Sequence, residues 1–230
     1  MLRAYKLGEA DRICVLATLD HGKVRAVAKG VRRLKSRIGA RLEPLNHVNL
    51  MLWEGRNLDI INQVEVLDTH VEVRSSLEKT SQAQVMLEVA DRLFLEKAAN
   101  VDLYTMLVKA LSTLETWDSQ LILPAFLLKV LVSEGVGPAL GSCIQCSETE
   151  NLVAYSTADG GVLCNKCRRG RSITPEALMV MRKILGGGLA LVLAETFSNS
   201  VSGEVRSLAT EAMEHHLEAR LKSMEVLEKV

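Results

Sequence analysis

The chain is poor in aromatic residues and in proline. Phe, Trp and Tyr make up 3% of its 230 residues, and there are four prolines. Within residues 1–66 the aromatics are Tyr5 and Trp53, with no Phe at all. A protein that reads bases chiefly by stacking them would need more platforms than this. Long apolar runs are missing too. Leu121 to Leu128 and Leu189 to Ala194 are the longest, well short of the roughly 20 residues a membrane helix needs. Met1 to Lys6 carry no apolar signal segment, so a cytoplasmic protein without a membrane partner is expected. Nor is there an excess charge of either sign, since 28 basic residues balance 28 acidic ones. With 24% charged and 48% hydrophobic residues, the composition excludes a wholly disordered or fibrous chain.

The balance conceals an asymmetry. Residues 1–60 hold twelve Lys or Arg against six Asp or Glu, whereas residues 61–142 hold six against eleven. A basic N-terminal third on a neutral chain points to one surface for an anionic partner.

Periodicity divides the chain into a strand region and a helix region. Ile13, Val15, Ala17 and Leu19 alternate, then Val24, Ala26 and Ala28, then Val48, Leu50 and Leu52. Asp20-His21-Gly22 and Glu54-Gly55-Arg56-Asn57 supply turns, and Leu58 to Val66 closes the set. With a short strand near residues 2–7, five antiparallel strands are expected. They suit a small closed or nearly closed barrel of OB type. From residue 75 the period becomes helical. Ser75 to Glu78 reads as a capping box. Leucines 103, 107, 111 and 114 mark a second helix behind Asn100, and the apolar Leu121 to Val132 a central third. Thr174-Pro175 opens another helix, which Gly186-Gly187-Gly188 ends, and a last one is expected from Ser202 to Leu227. The fold class is therefore α+β. An OB-fold barrel over residues 1–73 precedes a helical domain over 74–230, with a cysteine-bearing insert at 141–172.

Four of the five cysteines form two pairs, Cys143/Cys146 and Cys164/Cys167, 17 residues apart. Each C-x-x-C knuckle puts two thiolates on one side of a tight turn. Two knuckles give four sulfurs for a tetrahedral Zn²⁺, leaving no open position for water. One structural zinc per chain is expected. A redox dithiol pair and an iron–sulfur cluster are the competing readings. Cys14 stands alone and reads as a small buried hydrophobe.

Lys29, Arg32, Arg33, Lys35, Arg37 and Arg41 place six positive charges in thirteen residues, with no acid before Glu43. Gly30, Ser36 and Gly39 make the stretch loop-like. Such a loop can hold phosphates by charge and by arginine forks, and these six residues are the expected phosphate contacts. The alternative is a solvated charge run. His215 and His216 are neighbours on a helix and face different ways. Glu9, Asp11 and Arg12 read as surface pairing. No nucleophile–base constellation is present, so no enzyme is expected.

Several motifs resemble one family. Gly8-Glu9-Ala10-Asp11-Arg12-Ile13, His21-Gly22-Lys23, Ala26-Val27-Ala28-Lys29-Gly30-Val31-Arg32-Arg33, Lys35-Ser36-Arg37 and Leu42-Glu43-Pro44 are similar to the N-terminal barrel of the bacterial RecO recombination-repair family. Gly55-Arg56-Asn57-Leu58, the cysteine quartet and Glu214-His215-His216-Leu217 extend the likeness along nearly the whole chain. The resemblance implies an OB-fold followed by a helical domain with a zinc module. It implies binding of single- and double-stranded DNA, annealing of complementary strands, and action with RecR and single-strand-binding protein to load RecA at the nucleoid. Members of that family usually carry residues before the position of Met1, so the first strand is expected to be short. A zinc-ribbon adaptor that binds only protein is the rival from another class. A metal-dependent nuclease would need an open metal site, which the residues do not offer.

Overall fold

The computed structural model describes every residue except Lys35, Arg37 and 228–230. The chain divides into two compact units, Met1–Glu115 with Lys222–Val230, and Thr116–Leu221.

The first unit opens with five strands: β1 (Arg3–Leu7), β2 (Asp11–Thr18), β3 (Gly22–Ala28), β4 (His47–Trp53) and β5 (Asp59–Asp68). Their order is β1-β2-β3-β5-β4. Neighbours are antiparallel apart from β3 and β5, which run parallel through Ala26–Asp59 and Val27–Ile60. The sheet is OB-like but open. Among the described residues, β1 and β4 form no ladder. Met1 bridges the seam instead: its nitrogen donates to the Asn46 carbonyl at 2.9 Å, and its carbonyl accepts from the Leu45 N–H at 3.0 Å. β1 is short, five residues long, and pairs along its whole length with β2. The expectation of a closed or nearly closed barrel is corrected to that extent.

The interior face also differs from the one periodicity suggested. Cys14 and Leu16, paired across to Ala26 and Val24, point into the core with Ala28, Val31, Leu42, Ile61 and Val64. Val15 on the other face is buried as well, and α2 (Leu77–Leu93) packs against β2. Leu19 is exposed.

A short helix, α1 (Val71–Ser75), precedes α2 and was not expected. Ser75 therefore ends α1 and does not cap the next helix. Ser76 does so, its hydroxyl accepting from the Lys79 N–H. Asn100 caps α3 (Val101–Thr116) by accepting from the Leu103 N–H at 2.9 Å. Asp91 on α2 ties β1 and β3 down, pairing with Arg3 at 2.6 Å and Lys23 at 3.5 Å. The chain returns to this unit in α8 (Met224–Leu227), which packs on α2 with Met224 and Leu227 buried.

In the second unit α4 (Ile122–Ser133) is buried on nearly every side and packs against α5 (Pro175–Leu185) and α7 (Asn199–His216). A helix apolar all round has to be central. Between α4 and α5 lie β6 (Leu152–Ser156), β7 (Gly161–Cys164) and β8 (Arg171–Ser172), an antiparallel sheet of order β7-β6-β8. Thr174 caps α5 with Pro175 at its first turn. A further short helix, α6 (Leu189–Ala194), follows the three glycines. α7 stops at His216, where Glu218 takes a left-handed φ of 49°. The single last helix expected to Leu227 is therefore two, because the chain turns between them.

Candidate nucleic-acid interface and cysteine centre

The basic stretch leaves β3 and is held at both ends. Gly30, at a φ of 64°, donates its N–H to Asp11 Oδ1 at 2.7 Å. The Arg32 N–H reaches the Ala10 carbonyl at 2.9 Å, so the loop is stitched to the β1–β2 turn. Val31 is buried in the sheet core, and Ile38 packs against the same cluster. Between them the chain makes two successive turns, Arg33 N–H to Gly30 and Ser36 N–H to Arg33. The two legs run so close that a Cβ at Gly39 would lie 2.8 Å from the Val31 carbonyl.

This frame presents cations outward. Lys29, Arg32, Arg33 and Arg41 are exposed. Among the described residues none of these four forms an ion pair with a carboxylate. Arg32 and Arg41 are steadied through backbone carbonyls, those of Gly8 at 3.0 Å and Val64 at 3.2 Å, which orient a guanidinium without cancelling its charge. Lys35 and Arg37 lie outside the described residues. Of the residues expected to pair at the surface, Arg12 does so and Asp11 does not. Asp11 holds the loop, and Arg12 pairs with Glu43 at 2.7 Å.

A groove of about 1090 Å³ opens elsewhere in the same unit. Leu16, Leu50 and Leu52 line its floor, and Arg25 and Arg56 are exposed along it. None of the four described loop cations lines it. Sequence reading missed these two arginines. Arg25 was visible only as the polar side of β3, and Arg56 only as part of a turn.

The four paired cysteines converge in the second unit. All four sulfurs lie within 4.8 Å of one another, with Cys146 and Cys164 Sγ atoms 3.6 Å apart. Four sulfurs about 2.3 Å from a central ion would be about 3.8 Å apart, so this set fits a tetrahedral cation. β7 delivers Cys164, and the Ile144 N–H to Val162 bond, 3.0 Å, docks the first knuckle on that strand. Burial resists ionisation of Cys143, yet the backbone N–H groups of Cys164, Gln145 and Cys146 outweigh it and pull the thiol down to about 6. Hydrogen bonding from Cys146, with burial, pushes Cys167 up to about 12. A cation among the sulfurs would offset the crowding that raises Cys167.

The arginines beside the second knuckle are engaged within the fold. Arg169 grips Asp159 through two bonds of 2.8 Å and reaches Gln145, between the first two cysteines, at 3.1 Å. Arg168 donates to Ser172, and Arg171 to Ser207. His215 is exposed, whereas His216 is half-buried with its Nε2 4.0 Å from Glu134.

Two family models match this chain: Recombination protein O N terminal over residues 1–70 and Recombination protein O C terminal over residues 74–225. The chain belongs to the recombination protein O family. Membership gives this RecO-family chain a role in DNA repair and recombination. No described helix of this family member is long and apolar enough to cross a membrane. The four cysteines that the motif spacing singled out are together in space and could hold a metal ion.

Proposed function

We propose that this chain is a non-enzymatic recombination mediator of the RecF pathway. It binds single- and double-stranded DNA, anneals complementary strands, and acts with RecR and single-strand-binding protein to load RecA. Its workplace is the nucleoid in the cytoplasm. Residues 1–73 form the DNA-binding part and 74–230 the helical part, with the module at 141–172 inserted. The observation that carries this reading is the doubly anchored loop at Lys29–Arg41, whose described cations face solvent without carboxylate partners. Lys29, Arg32, Arg33, Lys35, Arg37 and Arg41 contact phosphates, and Arg25 and Arg56 at the groove extend the path.

Phosphate contacts fix a strand without reading it. A loop that grips backbones leaves base edges free, so two coated strands can pair without first being stripped. The cysteine centre holds one Zn²⁺ with all four positions filled. The metal cross-links a short module that has little core of its own and takes no part in chemistry.

Fluorescence anisotropy with labelled single strands and duplexes, followed by an annealing time course, tests the proposal. Binding to both, with annealing faster than for free strands, is the expected result. Failure to bind either at low salt would favour an adaptor that recognises only protein.

A further inference from the structure

Leu34 stands at the tip of the basic loop and is fully exposed, at 107% of the reference accessibility. Among the described residues no other exposed large hydrophobic approaches this value; the next highest are Leu95 and Leu191, at 67% each. Water is a poor place for a leucine, and a mobile loop would fold it back onto the nearest apolar surface. The described residues on either side of Leu34 hold it away from such a surface. Val31 and Ile38 already fill the apolar sites beneath it, and the Gly30–Arg33 and Arg33–Ser36 turns aim the tip outward. Arg32 and Arg33 precede Leu34 directly and are exposed beside it.

We infer that Leu34 is a wedge that inserts between adjacent bases when the flanking arginines seat on phosphates. The occupant is fixed by the neighbours: exposed guanidinium groups without carboxylate partners call for a polyanion, and an apolar tip among them calls for an apolar slot within that polyanion. The gap between stacked bases of a nucleic acid is such a slot, and leucine is one of the side chains that can open it. Burying the leucine offsets the loss of base stacking. The wedge therefore alters DNA shape more than affinity. It gives a backbone-gripping loop a way to loosen stacked bases before they re-pair. The inference rests on the phosphate-binding reading of the loop.

The test uses the full chain and DNA carrying 2-aminopurine, whose fluorescence rises when its neighbours unstack. Wild type, Leu34→Ser, Leu34→Met and Arg33→Glu are compared. In wild type the signal rises on binding. Leu34→Ser abolishes most of that rise while Kd changes by less than about threefold and the salt dependence is kept, because burial and unstacking nearly cancel. Leu34→Met, apolar and of similar length, retains the rise. Unfolding temperatures of all variants match wild type, because the side chain touches no core. A Leu34→Ser protein that unstacks bases as well as wild type overturns the wedge and leaves the phosphate loop intact. Unchanged binding and salt dependence in Arg33→Glu overturns the loop reading itself, and the wedge with it. A tip that moves onto anionic phospholipid vesicles, with no signal on DNA, identifies a membrane as the occupant and also overturns the wedge.

Discussion

Glu88 on α2 holds the returning end of the chain through Ser223, accepting both its hydroxyl at 2.5 Å and its backbone N–H at 2.8 Å. The same carboxylate accepts from the Lys222 N–H at 3.1 Å and pairs with Arg92 at 2.7 Å. One side chain thus satisfies the first amides ahead of α8. Glu88→Gln should destabilise the fold by about 1–3 kcal/mol, because it leaves part-buried donors short of acceptors. Burial raises the pKa of Glu88, but the Ser223, Arg92 and Lys222 donors outweigh it, and the net shift is downward from 4.5. A depressed pKa contributes stability that is complete above that value and drains away as pH falls through the folded pKa. The difference in unfolding free energy between wild type and Glu88→Gln should therefore be steady near neutrality and narrow in acid. Denaturant titrations at several pH values measure it, and a gap that does not narrow refutes the assignment.

Metal content gives the second prediction. Purified protein should carry one Zn²⁺ per chain, and Cys146→Ser should lose it and loosen residues 141–172 first, as seen by hydrogen exchange. Arg169→Ala should speed release of the ion to a chelator by about tenfold, because Arg169 braces Gln145 within the first knuckle. Less than half an equivalent of metal, with freely reactive thiols, would show that the quartet is not a zinc site.

The third prediction concerns salt. If the loop cations touch phosphates, log K against log[salt] on single strands should fall with a slope between about −2 and −4, at roughly 0.7 per contact. Reversing Arg33 and Arg37 to Glu should flatten the slope and weaken single- and double-stranded binding alike. Folding and zinc content should be unchanged. The cations beside the second knuckle are poor substitutes, because Arg169 and Arg171 already have carboxylate partners.

Trp53 supplies the fourth. It is 60% exposed on β4 and free to stack. A stacked base contributes about 1–3 kcal/mol. If binding is by backbone, Trp53→Ala should weaken single-strand affinity by less than about fivefold, below the range a dominant stack would give. A loss of about a hundredfold, with quenched Trp53 emission in the wild-type complex, would reverse this view.

Much of this architecture is legible in the residues because each signal is local. A C-x-x-C knuckle needs only its own turn, Thr174-Pro175 caps its own helix, and the run from Lys29 to Arg41 declares its charge wherever it sits. What escaped is what distant packing decides. Period-two patterning cannot say which face of β2 is inside when Val15 and Leu16 are both buried. Two adjacent serines compete for one cap, and only the path of α1 awards it to Ser76. The start of α8 is held by Glu88, 135 residues from Ser223. Arg25 and Arg56 become neighbours of one groove only after the sheet has formed.

The division of the chain has a consequence for its birth on the ribosome. The first unit takes residues up to Glu115 and then needs Lys222 onward to lay α8 on α2. At roughly 5–20 residues per second, the intervening stretch takes about 5–20 s to synthesise. Through that interval the nascent sheet and its first helices lack α8, and its docking strip on α2 is open to solvent. A premature stop inside residues 116–221 yields a product in which β1 to β5 are all present but whose last brace never arrives.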